Sequence, residues 1–496
     1  MRFLRVEHGT MSVVPTSEEI VLPSRDDSMA AGASLAIGGP MGRHANPKRA
    51  WWSPLRIMLL FAIVASALGA AIDTPCSTKA WGDGYEIFTR ACYSDIPLLY
   101  TGRGIDEGVI PYVEDPATTA DSEVEYPVLT GAVMYATALP ISDDWSDATR
   151  MRVYYAINSI LIALLLALTV WATALTVRRR PWDAAMVAVA PGMVLASTVN
   201  WDLWAVAAVA LALLAWARRY PVLAGLLIGL GASFKFYPLL VLGPLFVLCL
   251  RAGRLRYWGL TFGAAAVMWL AANVPIMLAR FDGWAKFYRF SSERGADYGS
   301  PWLVARDAFS FDPPIGQLNL WATGIFLAFC VGIGLLILAA PQRPRLHQVV
   351  FLTVAAFAIT NKVYSPQFVV WLIPLAVLAR PRWRDFLWWQ AAQVVYFFAV
   401  WWYIIGQSTP EKGLPETYYW AAIGLHVCAT LAFGGFVIRD MFRPAHDPVR
   451  SSLGEDDPGG GVLDGCPDRV ALRRRSPGVD EGPRHDVVVV HGRHSH

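Results

Sequence analysis

Residues 154–180 read YYAINSILIALLLALTVWATALTVRRR: an apolar run from Tyr154 to Thr176, then Arg178, Arg179 and Arg180. As a helix the run is long enough to cross the roughly 30 Å of hydrocarbon in a bilayer. The arginine triplet at its end marks the side that stays cytoplasmic. Further apolar runs lie near 52–72, 183–199, 203–219, 221–236, 238–250, 257–279, 317–340, 347–361, 364–379, 385–405 and 418–438, several close to the lower length limit for a span. Basic clusters fall at Arg43/Lys48/Arg49, Arg178–Arg180, Arg218/Arg219, Arg251/Arg254/Arg256, Arg343/Arg345, Arg380/Arg382/Arg384 and Arg439/Arg443. With these spans every cluster lies on one side. The pattern predicts an all-α polytopic membrane protein of about twelve transmembrane helices, with both termini cytoplasmic.

The composition agrees. Of 496 residues 55% are hydrophobic and 16% charged, where a soluble chain carries about 25% charged. The 21 Trp and 23 Phe suit aromatic belts at bilayer interfaces. A net charge of +3 is small, and no nucleic-acid partner is expected. No C-x-x-C occurs among the six cysteines, so no thiolate zinc site, and no metal, is expected. Cys249, Cys330 and Cys428 lie in apolar runs and read as packing residues. Residues 1–50 and 439–496 are polar and without helical periodicity. They read as disordered cytoplasmic tails flanking one membrane domain at 51–438. Met41 opens a basic lead-in to the first span, which makes it an alternative start. His491, His494 and His496 read as solvated tail residues.

If the basic clusters share one side, Tyr126 to Ile141 is not a full crossing and lies along the outer interface or re-enters the membrane. The outer face then carries polar segments at 73–153, 280–316 and 406–417, with tight turns at Asn200-Trp201-Asp202 and Asn361–Pro366. Cys76 and Cys92 share the first of these. They form a disulfide if it faces an oxidising compartment, and stand as two unpaired small residues otherwise. The spans are nearly free of ionisable groups, which argues against an ion-coupled transporter. His426, inside the last span, reads as a packing residue.

Chemistry is therefore sought on the outer face. A carboxylate there can take a proton from an incoming hydroxyl, and Asp95 is the leading candidate, with Tyr93 and Tyr100 nearby; Asp83, Asp106, Glu107 and Glu125 compete. Arg103, Lys235, Arg294 and Lys362 map to the outer side against the cytoplasmic bias of basic residues, where they can meet a lipid phosphate. The alternatives are solvated or helix-capping carboxylates, a snorkelling Lys235, and an Arg294 paired with Glu293 or Asp297.

Tyr93-Ser94-Asp95-Ile96-Pro97, Arg103, Gly108 to Pro111-Tyr112, and Glu125-Tyr126-Pro127 resemble the first outer loop of GT-C membrane glycosyltransferases, most of all glycosyltransferase family 87. Asn200-Trp201-Asp202, Lys235-Phe236-Tyr237-Pro238, Arg294 to Ser300-Pro301-Trp302, and Ser365 to Trp371 fit the same family. Two features depart from it: Val128 follows Pro127 where a second proline is common, and Glu114 to Glu125 looks like an acidic insertion.

The resemblance implies a GT-C-type bundle with a large first outer loop, in the plasma membrane with its active face external. It implies a hexosyltransferase, first a mannosyltransferase, that uses a polyprenyl-phosphate sugar and a glycan or glycolipid acceptor. Asp95 would be the general base. Arg103, Lys235, Arg294 and Lys362 would serve the donor phosphate, and Tyr93, Tyr112, Glu125, Tyr126 and Asp202 would shape the loop or acceptor site. No cofactor is implied. The alternatives are an arabinofuranosyltransferase, a flippase for lipid-linked sugars, and a non-catalytic partner of envelope synthesis.

Overall fold

A computed structural model describes residues 20–23, 27–38, 53–114 and 123–472. Among the described residues every regular element is a helix and there is no strand. Five helices are long and apolar enough to cross a membrane on their own: Pro54–Thr78, Asp147–Thr176, Leu255–Ala279, Ile315–Ala339 and Glu416–Phe442. Shorter apolar helices fill the interior, at Asp202–Ala217, Pro221–Ala232, Leu346–Thr360 and Val369–Ala379 among others. The expected span at 183–199 is not one helix. Pro191, which lacks an N–H, starts a new helix at Pro191–Ala196 after a break at Ala190. The interfacial run after Tyr126 becomes helix Val128–Ala138, about 16 Å long and too short to cross.

Burial sorts these helices into an inside and an outside. Every residue of Val369–Ala379 is buried, and nearly every one of Asp202–Ala217. Leu255–Ala279 and Ile315–Ala339 bury few residues and expose Val267, Leu278 and Leu320. That suits helices facing lipid rather than water. Helix Pro221–Ala232 packs along Leu255–Ala279 through Gly225 and Gly229, where a Cβ would collide with the carbonyl oxygens of Thr261 and Ala265. Such close backbone approach drives helix association where lipid is as apolar as leucine.

Among the described residues the basic clusters meet at one end of the bundle, and there the structure corrects one expectation. The segment read as a disordered tail from 439 is folded as far as Leu472. Helix Glu416–Phe442 runs on into it, and short helices at Pro448–Leu453 and Gly461–Leu463 lie across the ends of the spans. Arg345, 1% exposed, holds Asp447 with two nitrogens at 2.7 and 2.9 Å and donates to the carbonyls of Leu378 and Ala379. Asp468 bridges Arg251 at 2.7 Å and Arg343 at 2.8 Å. Trp216 Nε1 donates to the Gly460 carbonyl at 2.9 Å. The next residue, Gly461, has φ +60° and no room for a Cβ against the Trp216 carbonyl. The sequence reading failed because it sought apolar periodicity, whereas this segment is held by aspartates that neutralise buried arginines.

Part of the N-terminal tail is ordered too. Asp27 caps helix Ser28–Gly38 and accepts the Trp383 N–H at 3.0 Å, and the Val21 N–H reaches the Arg179 carbonyl. Met41, the Arg43–Lys48–Arg49 cluster, the tail histidines and most of the acidic insertion lie outside the described residues.

Two variants test this architecture. Gly229→Leu, which overpacks the helix contact, should lower stability by about 1–3 kcal/mol, read as an earlier thermal transition in detergent. Asp447→Ala strands the buried Arg345 and should cost about 3–5 kcal/mol. A transition like that of the wild type in either variant would refute the corresponding contact.

Candidate active site

At the other end of the bundle, residues 76–95 are tied down before any chemistry is placed. Cys76 and Cys92 are joined in a disulfide. The Cys92 carbonyl accepts from Trp81 Nε1 at 3.1 Å. Ser94 is the N-cap of the short helix Asp95–Gly102. Its Oγ accepts the Ile96 N–H, and its hydroxyl donates to the Thr198 carbonyl at 2.6 Å. The Asp95 N–H then donates to the Val199 carbonyl at 2.7 Å. The first loop is thus sewn to the turn that precedes helix Asp202–Ala217.

The Asp95 carboxylate is the centre of a side-chain network. Tyr93 donates its hydroxyl to Oδ1 at 2.6 Å. Asn200 Nδ2 donates to Oδ2 at 2.6 Å, and the Tyr126 hydroxyl donates to it at 3.3 Å. Asn200 Oδ1 accepts from the Trp201 N–H at 2.6 Å and from Lys235 Nζ at 3.3 Å. The Lys235 ammonium also lies 4.6 Å from the centre of the Tyr126 ring and 3.5 Å from Asp202 Oδ2. Burial lifts the Asp95 carboxyl above the ordinary carboxylate range. The hydrogen bonds from Tyr93 and Asn200 and the charge of Lys235 oppose that, and Glu125 adds to it.

Asp95 opens on a cavity of about 770 Å³. Its polar wall carries Arg103, Glu125, Asn200, Lys235, Arg294 and Lys362; its apolar wall carries Phe236, Phe287, Phe290, Phe357 and Trp401. Arg103 makes a two-pronged pair with Glu125, both bonds 2.7 Å, which holds the guanidinium above its usual range. Arg294 pairs with Asp297 at 2.6 Å. Lys362 donates to the carbonyls of Ser291 at 2.9 Å and Arg294 at 2.6 Å, closing the C-terminal end of helix Phe281–Glu293. Burial, then the nearby Arg294, push its ammonium below the usual lysine range.

The structure therefore brings Tyr93, Asp95, Arg103, Glu125, Tyr126, Lys235, Arg294 and Lys362 to one cavity. Asp202 stands behind Lys235, held by Trp371 Nε1 at 2.6 Å. Tyr112 is off the cavity. Its hydroxyl donates to the Pro127 carbonyl at 2.9 Å and accepts the Gly131 N–H, so it fixes the backbone that carries Tyr126. Among the competing carboxylates, Asp83 caps helix Gly84–Thr89, and neither it nor Asp106 nor Glu107 lines the cavity. His426 is sandwiched by Tyr396 and Tyr364, in keeping with packing. Asn200 was not singled out from the sequence. Its signal in the sequence is the Asn200-Trp201-Asp202 turn, whose charged member, Asp202, is the one that stands out.

A family model, glycosyltransferase family 87, matches residues 126–361, a little under half of the chain. The match bears out the resemblance drawn from the loop and turn motifs. It takes in Tyr126, Asp202, Lys235 and Arg294, begins after Asp95 and Arg103, and ends one residue before Lys362. None of the curated proteins matches the chain.

A donor hydrogen bond to a carboxylate favours its charged form. Asn200→Ala should therefore move the ionisation of Asp95 to higher pH, read as the carboxyl infrared band that disappears in Asp95→Asn. An unmoved midpoint would take Asn200 out of the network.

Proposed function

We propose, from the premise that the family 87 match marks a membrane glycosyltransferase, that this chain is a hexosyltransferase taking mannose from a polyprenyl-phosphate donor to a cell-envelope glycan or glycolipid on the outer face of the plasma membrane. The observation that carries the reading is the Asp95 carboxylate: half-buried, held by three donors, and facing a cavity that also holds cations. Asp95 removes the proton of the acceptor hydroxyl. The acceptor oxygen bonds to the anomeric carbon as the bond from that carbon to the phosphate oxygen breaks. The electron pair leaves with the phosphate, and attack opposite the leaving group inverts the centre.

Lys235 and Arg294 stand as the cations for the leaving phosphate, and placing charge ahead of the reaction stabilises it as it develops. Arg103, paired with Glu125, and Lys362, on the carbonyls of Ser291 and Arg294, stand in the wall beside them. The phenylalanines Phe236, Phe287, Phe290 and Phe357 offer a prenyl chain an apolar surface beside these charges. The external placement of the cavity is supported by the positive-inside bias of the described basic clusters, Arg178–Arg180 and Arg343/Arg345 among them.

The test is sugar transfer in membranes lacking this protein and supplied with radiolabelled polyprenyl-phosphate mannose. Wild-type protein should restore labelled product, and Asp95→Asn should lower the rate by about 10²–10⁴-fold at equal expression. Equal restoration by both would remove Asp95 as base. A product formed only from the arabinofuranose donor would change the sugar and keep the reaction.

A further inference from the structure

Helix Pro54–Thr78 is apolar along most of its length, yet its last two turns carry Asp73, 6% exposed. A carboxylate at the end of a membrane helix is costly and asks for a reason. Asp73 does not line the cavity. Its Oδ2 accepts two hydroxyls, one from Tyr155 and one from Thr198 at 2.8 Å.

Thr198 is the first of three consecutive residues that hold the Asp95 loop. The Thr198 carbonyl accepts from Ser94, the Val199 carbonyl accepts from the Asp95 N–H, and the Asn200 side chain donates to the Asp95 carboxylate. The backbone bonds within this turn are long: 3.3 Å from Ser197 N to Met193 O and 3.4 Å from Val199 N to Ala196 O. The Thr198 side chain attaches its start to the spanning helix Pro54–Thr78, as Trp201 Nε1 attaches its end to Asn158 of Asp147–Thr176 at 2.8 Å. Cys76 lies one turn after Asp73 on the same helix face, and its disulfide to Cys92 holds the chain three residues before Asp95. One helix end thus grips the loop from both sides, covalently before Asp95 and through Thr198 behind it.

We propose that Asp73 is a positioning residue for the transfer, fixing through Thr198 the turn on which Asp95 and Asn200 are held. The inference rests on the reading of Asp95 as the base. Removing the Thr198 hydroxyl leaves the shape of the side chain and every cavity residue in place, so substrate binding is retained while the base loses its register. A misplacement of that kind acts on the chemical step.

The experiment compares full-length wild type, Thr198→Val, Thr198→Ser and Tyr155→Phe, the last loosening Asp73 from its other side. Transfer from polyprenyl-phosphate mannose gives kcat and KM, and hydrogen exchange of residues 94–100 reports whether the loop is held. Thr198→Val and Tyr155→Phe should lose about tenfold in kcat with KM within about twofold, exchange faster in 94–100, and Thr198→Ser should restore both. Wild-type kcat in Thr198→Val, a loss carried by KM, or a loss without faster exchange would each overturn the proposal. Where wild type transfers no sugar, the reading of the function fails on its own, and exchange alone decides: an unchanged rate in Thr198→Val overturns Asp73 as the anchor.

Discussion

An ionised side chain taken out of water needs a partner, and leaving one buried without compensation costs several kcal/mol. Both ends of this bundle are organised by that constraint. At the basic end, Arg251, Arg343 and Arg345 are each less than 5% exposed, and aspartates from a segment more than a hundred residues later neutralise them. At the cavity end, Arg103 has Glu125, Arg294 has Asp297, and Lys235 has Asp202. Pairs in the open are different in kind. Arg289 and Asp282 are both more than half exposed, and a surface pair contributes about 0–1 kcal/mol. The buried pairs therefore decide where segments dock; the exposed ones do not.

The cavity is built where helices stop. Asn200 lies in the break between Pro191–Ala196 and Asp202–Ala217, Lys235 follows Pro221–Ala232, and Lys362 follows Leu346–Thr360. A long uninterrupted helix pairs its own backbone and presents side chains to lipid or to other helices. A break frees carbonyls and N–H groups within the protein, where non-helical backbone is tolerated if it lines a cavity. Polar side chains at the breaks then find partners without crossing hydrocarbon. That is also why the interior helices are short while the lipid-facing ones run to 25 residues.

How much of this was legible follows from the range of each signal. Hydropathy is local, so the apolar runs could be read directly, as could the gathering of Arg178–Arg180 and Arg343/Arg345 at one end of them. Asp95 could be read as a candidate because it comes early in the first outer loop, with Tyr93 and Tyr100 close in sequence. The tail from 444 to 472 could not, since Asp447 and Asp468 have meaning only against arginines that folding brings close. Asn200 was hidden for a related reason: an uncharged amide carries no signal until the carboxylate and the ammonium it joins are both beside it. Composition hides the helix break at 183–199, where the run is largely apolar but Pro191 resets the hydrogen-bond ladder.

The orientation of Asn200 shows why an amide stands between the proposed base and cation. The Trp201 N–H is a donor that cannot be reversed, and it points at Oδ1; that fixes Nδ2 toward Asp95 and Tyr126. Lys235, also only a donor, agrees by facing Oδ1. One side chain thus offers a donor to the carboxylate and an acceptor to the ammonium, and lowers the cost of charge on both. An aspartate here would keep the acceptor but set a second carboxylate beside Asp95, and like charges at that distance raise the pKa of one of them. A leucine would leave Oδ2 of Asp95 with the longer bond from Tyr126 alone. The amide is the group of this size that serves both the half-buried carboxylate and the ammonium beside one cavity.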